Sequence, residues 1–225
     1  MVVSSKTLQQ KNSLRKQVIA KRNEIDEGAR VAKSHLICDQ LLELLDTHTL
    51  VTAGSLNRSF RIAVYQAMGS EVDLRKFILA AYGKGMSICF PCMTTESPDA
   101  TKPWLKGRRM LFYEVSEADY RNKQAVFLNN PLKLCAVEEV RQQGLLEVEP
   151  KSIDMVVVPI VAFDSDKYRL GYGGGNYDWF LSQVYAAKKE RSKAAIVAGA
   201  AFIEQNVDCV PREKHDLQLP LILTA

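Results

Sequence analysis

The sequence predicts an α/β fold, a single domain on a central, mostly parallel sheet flanked by helices. Apolar strands at 61–67 and 86–90 enclose an amphipathic helix, and helix-separated strands pair in parallel through a right-handed crossover. The continuous β-branched run Asp154 to Pro159 has the composition of a strand buried on both faces. The chain is 225 residues long, 47% hydrophobic and 25% charged, which suits one core of substantial size.

In chain order, residues 6–22 read as a helix with Leu14 and Val18 at i, i+4. Lys11, Arg15 and Arg22 recur close to that same face, beside the apolar stripe. A second helix over 28–45 turns Ile37, Leu41, Leu44 and Leu45 toward a core. The helices of 6–45 are expected to pack on a domain that spans 1–225. Residues 46–60 are polar and unpatterned and read as a connection. Strand 61–67, helix 72–85 and strand 86–90 follow, then a polar loop over 93–108 and a strand at 110–115. Residues 116–150 give mixed signals, and 154–159 is the clearest buried strand. A loop over 160–174 leads into a helix from about 175 to 189, and strands at 194–200 and 219–224 close the chain.

Composition narrows the function classes. No run approaches the roughly 18 uncharged apolar residues of a membrane helix. The first residues turn polar and basic too early for a secretory signal, so the expectation is cytoplasmic. Five scattered cysteines do not form the framework of a small secreted domain. The 30 Lys+Arg against 26 Asp+Glu leave a net charge of +4 without a basic, aromatic-interleaved stripe, which argues against nucleic acid.

The informative segment is 156–181, VVVPIVAFDSDKYRLGYGGGNYDWFL. A strand runs into a loop bearing Gly171, Gly173, Gly174 and Gly175, then into a helix. Glycine admits φ > 0 and lets backbone N–H groups approach a ligand. A helix N-terminus adds unpaired donors and partial positive charge, a combination that favours phosphate. Arg169 before the glycines can fork onto phosphate oxygens, and Asp178 after them can hold a bridging divalent cation. The plainer reading is a flexible turn with a helix cap, but the ordered set of strand, arginine, glycines, aspartate and helix favours phosphate. No Lys-Ser or Lys-Thr follows the glycines as Walker A requires. The loop also lies too late in the chain, and its acid too near, for a dinucleotide fingerprint.

RLGYGGGNYD closely resembles the signature of the 5-formyltetrahydrofolate cyclo-ligase family, and the likeness extends in order along nearly the whole chain. KNSLR (11–15) resembles the family's N-terminal nucleotide motif, VYQAMGSEVDL (64–74) its folate segment, and FPCM (90–93) its strand-ending proline. Residues 159–178 match the core block, and 201–224 match the C-terminal block with Gln205, Pro211 and Asp216 in register. The resemblance implies an α/β enzyme that uses ATP and Mg²⁺ to cyclise 5-formyltetrahydrofolate to 5,10-methenyltetrahydrofolate, releasing ADP and phosphate. It assigns ATP to Lys11, Asn12, Ser13, Leu14 and Arg15, and to Arg169, Leu170, Gly171, Tyr172, Gly173, Gly174, Gly175, Asn176 and Tyr177. It assigns the folate to Gln66, Glu71 and the loop from Tyr172 to Asn176, and magnesium to Asp178 and Asp216. Arg169 is the candidate for transition-state charge, and no nucleophilic side chain is required. Lys11 and Arg15 lie one helical turn apart, so both can reach one anion. The expected partners are reduced folate and ATP, with no nucleic acid or membrane, and the expected state is a monomer.

The chain departs from the family pattern at Asn176, where a second tyrosine is common, and at Trp179, where a basic residue is often found. The block 131–140 lacks the pattern seen in many bacterial relatives. Cys89 and Cys92 form a C-x-x-C with neither the following helix of a redox motif nor a second pair for zinc. His35 and His48 read as surface or boundary residues, Trp104 as packing, and His215 as a neighbour that could orient Asp216. Two rivals share the loop: a phosphotransferase on another substrate, and a folate- or nucleotide-binding regulator without turnover.

Overall fold

The computed structural model describes residues 5–52, 59–95, 108–187, 194–213 and 216–225. Helices α1 (Ser5–Asn23) and α2 (Glu27–Thr52) precede β1 (Arg61–Ala63), α3 (Arg75–Gly83), β2 (Ser87–Thr95) and β3 (Arg108–Val115). Then come α4 (Glu117–Asn122), α5 (Val126–Asn129), β4 (Leu134–Ala136), α6 (Val137–Gln142) and β5 (Leu146–Val148). The last part holds β6 (Met155–Pro159), β7 (Ala162–Phe163), β8 (Arg169–Leu170), α7 (Asn176–Ala186), β9 (Ile196–Ala201) and β10 (Leu221–Thr224).

Among the described residues, eight strands share one sheet in the order β10–β9–β6–β1–β2–β3–β5, with β4 paired to β2. Neighbours from β10 through β2 run parallel, as does β4, while β3 and β5 form an antiparallel edge. The mostly parallel sheet expected from the β–α–β rhythm is therefore present. Its strands alternate with period two between helical layers. Met155 and Val157 join a core with Ile37 and Leu41 of α2 and Phe77 of α3. Val156 and Val158 face Phe180, Leu181 and Val184 of α7. All four of these β6 residues are fully buried, as the β-branched run requires. No helix among the described residues is long and apolar enough to cross a membrane.

Three boundaries differ from expectation for local reasons. The second helix continues through 46–52 instead of giving way to a connection, so His48 is helical. The Thr47 hydroxyl donates to Glu43 O and that of Thr49 to Leu45 O, one turn back, so these polar residues satisfy themselves without breaking the helix. The strand expected to end at 90 extends to Thr95, because β3 supplies an antiparallel ladder from Ile88↔Val115 to Thr95↔Arg108. Buried Thr94 donates its hydroxyl to Arg109 O there, which accounts for a threonine in what reads as loop. The first strand is shorter, ending at Ala63. Most of the 93–108 loop, including Trp104, and His215 lie outside the described residues.

The two cysteines of the C-x-x-C occupy opposite faces of β2: Cys89 packs with Val156 and Phe112, Cys92 with Phe90 and Cys135. A three-residue step on a strand turns side chains apart. The pair has no geometry for a dithiol.

A small third core positions the site. Val18 and Leu14 of α1, the predicted i, i+4 pair, pack on Ala162, Leu170 and Val210. This lays α1 along the β7–β8 hairpin, whose turn is fixed by buried Asp164 accepting from Tyr168 N at 3.0 Å and Val210 N at 3.0 Å. Gln205 pins the preceding chain, donating to Ile160 O at 2.6 Å and Val161 O at 3.0 Å.

Candidate active site

With its apolar stripe against the hairpin, α1 turns Lys11 and Arg15 toward the segments that frame the glycine loop. Lys11 is buried; Nζ donates to Asp216 Oδ2 at 2.6 Å and to Glu213 Oε2 at 3.0 Å. The solvated basic face that a helix with this spacing suggests is thus excluded for Lys11. Asp216 Oδ2 also accepts the Glu213 N–H at 2.8 Å, closing the turn before the last strand. Arg15 donates through Nε to Gly171 O at 2.7 Å and through Nη1 to Asn12 Oδ1 at 2.6 Å. Burial holds its guanidinium below the usual value, and Asp216 works in the opposite direction. Of the remaining KNSLR residues, Asn12 and Ser13 are exposed and Leu14 belongs to the packing.

The glycine loop is exposed from Tyr172 to Gly175 and ends at the N-terminus of α7. Gly173 has φ +98° and Gly175 φ +66°, so these two positions require glycine. A Cβ on Gly173 would also stand 3.2 Å from Arg15 Cζ. Gly174 differs: its φ is ordinary, and a Cβ there would meet only the end of the Asn176 side chain, at 2.8 Å. Gly175 caps α7 with no side-chain acceptor, which leaves the first-turn N–H groups to a ligand. Asn176 itself makes a long contact from Nδ2 to Met93 Sδ at 3.6 Å.

Arg169 is nearly buried and spans the site. Nη2 donates to Asp178 Oδ1 at 2.8 Å and Nη1 to Leu217 O at 3.1 Å. It thereby joins the first turn of α7 to the residue beside Asp216. What brings Asp216 here is a pairing of the segment just after it with the hairpin, through the Tyr168↔Gln218 bridge and the bond from Leu219 N to Lys167 O at 3.0 Å. Strand order alone does not do this, because β10 pairs with β9 and not with β6.

The two aspartates suit a hard cation in their donor chemistry. Asp178 Oδ1 accepts from Arg169, and Asp216 Oδ2 accepts from Lys11 and from Glu213 N. No group of three or more metal-ligating side chains occurs among the described residues.

Glu71 lies in a second, deeper part of the site. It is buried, and Oε2 accepts the Met68 N–H at 2.8 Å. Burial raises its carboxyl above the usual range, against the lowering influence of that N–H, of Tyr172 and of Arg22. Tyr172 leans in from the glycine loop, its hydroxyl accepting from Arg22 and influencing the Glu71 carboxyl. The hydroxyl of Tyr177 is buried nearby and raised, by burial first and Glu71 second. Gln66 lines a cavity of about 260 Å³ with Arg75, Tyr120, Arg121 and Lys123.

Sequence reasoning gave Arg22, Ser70 and Glu213 no role. Buried Arg22 donates to Ser70 Oγ at 2.9 Å and to the Tyr172 hydroxyl at 3.1 Å. Its signal was its recurrence on the face of Lys11, eleven residues and about three turns later.

The model of the 5-formyltetrahydrofolate cyclo-ligase family matches residues 7–225. The 5-formyltetrahydrofolate cyclo-ligase of Saccharomyces cerevisiae is 30% identical over 225 residues, covering 95% of this chain and 94% of that protein. The one from Mycoplasma genitalium is 26% identical over 214 residues, covering 95% and 96%. Among solved structures, a 5,10-methenyltetrahydrofolate synthetase from Mycoplasma pneumoniae superposes with a TM-score of 0.60 at 21% identity, covering 95% of this chain and 97% of that one. The Aquifex aeolicus 5,10-methenyltetrahydrofolate synthetase gives 0.59 at 23%, covering 95% and 89%. At these identities the structural matches establish the fold.

Proposed function

This chain belongs to the 5-formyltetrahydrofolate cyclo-ligase family and is an enzyme of that kind; from that premise we propose that it uses ATP and magnesium to convert 5-formyltetrahydrofolate to 5,10-methenyltetrahydrofolate, with ADP and phosphate released. The observation that carries the reading is that Arg15 and Arg169 bear on an open glycine loop and the helix N-terminus after it, while Lys11 is held at Asp216, next to the Leu217 carbonyl that Arg169 also binds. We read residues 1–225 as one domain and the protein as a cytoplasmic monomer.

In the proposed reaction the N5-formyl oxygen attacks the γ-phosphorus of ATP and ADP leaves. N10 then closes on the activated formyl carbon, the C–O bond breaks with its electron pair going to phosphate, and the N10 proton is lost. The protein's part is positioning and charge neutralisation, as in other phosphoryl transfers. The loop N–H groups, Lys11 and Arg15 hold the phosphates, and Arg169 stands where charge develops on the transferred group. Asp178 and Asp216 would hold magnesium, which supplies neutralisation of phosphate oxygens. Glu71, Gln66 and the loop from Tyr172 to Asn176 hold the folate.

Omitting ATP, magnesium or 5-formyltetrahydrofolate in turn tests this. Phosphate release should require all three, whereas a phosphotransferase acting elsewhere releases none on this folate, and a regulator binds without release.

A further inference from the structure

Arg22 and Glu71 are both more than nine-tenths buried, at 3% and 7% exposure, on separate elements. They are near enough for Arg22 to influence the Glu71 carboxyl, yet no ion pair joins them among the described residues. One donor is already used at the Tyr172 hydroxyl, which accepts from Arg22 Nη2, and one acceptor at Met68, whose N–H donates to Glu71 Oε2. Arg22 Nε is held by Ser70, whose hydroxyl in turn donates to Asn23 Oδ1. Arg22 Nη1 and Glu71 Oε1 then remain, buried and without a hydrogen-bond partner among the described residues. A buried charge left unsatisfied is costly enough to be rare in a protein interior. The arrangement therefore asks for a ligand that offers an acceptor beside a donor.

Resting on the folate reading above, we infer that Arg22 and Glu71 together bind the lactam edge of the reduced pteridine ring, with Arg22 Nη1 donating to its 4-oxo oxygen and Glu71 Oε1 accepting from its ring N–H. The N1 side of the ring also sets an acceptor beside a donor, but the 4-oxo oxygen, with two lone pairs, is the better acceptor for a guanidinium. A ring lactam holds C=O and N–H on the same side. The benzoyl–glutamate amide is trans and points them in opposite directions, and the 5-formyl nitrogen carries no hydrogen. Arg22 is then a specificity-determining residue for the ring, on the same helix that carries Lys11 and Arg15 to the ATP side. That helix fixes the spacing between the two substrates. Tyr172, half exposed on the loop, holds Arg22 through its hydroxyl until the ring arrives.

The experiment is equilibrium binding of 5-formyltetrahydrofolate and of its 4-amino-4-deoxy analogue to the full chain, without ATP. The analogue replaces the acceptor with a donor, which leaves the Arg22 N–H facing another N–H. The wild type should prefer the 4-oxo compound by at least about tenfold, because a site built for one hydrogen-bond pattern rejects its inverse. Arg22→Gln should weaken the 4-oxo compound by about 10- to 100-fold, the range of a lost charge-assisted bond, and bring the ratio near unity. Arg22→Lys should keep part of the preference. Equal weakening of both compounds in Arg22→Gln would overturn the inference and make Arg22 a prop for Ser70 and Tyr172. A wild type that binds both alike, or favours the amino form, overturns it even if the Gln variant does not fold. A wild type that binds neither compound removes the folate reading itself, whereas normal turnover with equal weakening removes only this one.

Discussion

Lys11 Nζ stands 2.6 Å from Asp216 Oδ2, joining residues 205 positions apart. The ammonium assigned to ATP and the carboxylate assigned to magnesium are thus engaged with each other, and a phosphate arriving between them exchanges one set of charge partners for another. Lys11→Ala and Arg15→Ala should each weaken ATP about 10- to 150-fold, at roughly 1.5–3 kcal/mol per charge-assisted bond. Folate affinity measured without ATP should stay within about threefold. Unchanged ATP affinity in both would reduce the two residues to ties between α1 and its surroundings.

Gly173 and Gly174 separate strain from proximity. Gly173 has a positive φ and abuts Arg15, whereas a Cβ at Gly174 meets only a movable amide. Gly173→Ala should therefore lower kcat/KM for ATP by at least about tenfold, since αL strain in a non-glycine residue is worth about 1–2 kcal/mol before Arg15 is displaced. Gly174→Ala should cost several-fold less. The reverse ranking in steady-state kinetics would show that the loop rearranges on binding.

The aspartates should couple. Asp178→Asn and Asp216→Asn are each expected to raise the magnesium concentration for half-maximal rate, and the double variant should cost less than the two effects combined, as partners in one site do. Should Asp216→Asn leave magnesium dependence untouched while Asp178→Asn shifts it, Asp216 serves only Lys11 and the Glu213 turn.

Glu71 makes a prediction in pH. Burial raises its carboxyl, so its charged form destabilises the folded state. That effect is absent below the ordinary carboxylate value of about 4.3 and is fully present above the raised, folded one. Glu71→Gln keeps an acceptor for Met68 N–H and removes the buried charge. Its Tm at neutral pH should exceed that of the wild type by about 2–4 °C per kcal/mol relieved, with the gap closing as pH falls below about 4. Folate affinity should fall at the same time. A variant that melts lower at neutral pH would mean that Arg22 depends on the Glu71 charge for its own place.

The parts legible in the sequence were those set by local pattern. The Leu14–Val18 stripe, the β-branched run of β6 and the glycine loop opening α7 all stand where their spacing places them. What pattern could not supply was long-range pairing. The bonds from Thr47, Thr49 and Thr94 turn polar-looking stretches into helix and strand, and their partners are invisible until the chain folds. The same holds for the site. Gln66 and Glu71 are five residues apart in sequence, yet Gln66 lines a cavity with Arg75 and Tyr120 while Glu71 lies against Arg22 and Tyr172. Arg22 showed only its periodicity, while its place beside Ser70 and Tyr172 depends on how α1 lies across the hairpin.

The most direct test follows the ultraviolet absorption of the methenyl product when purified protein meets ATP, magnesium and 5-formyltetrahydrofolate. The band should grow only with all three present, with one ADP per methenyl group, and should be absent when 10-formyltetrahydrofolate replaces the 5-formyl isomer under conditions where it does not cyclise unaided. ATP hydrolysis that runs equally well without folate, or binding of both substrates with no absorbance change, would contradict the account.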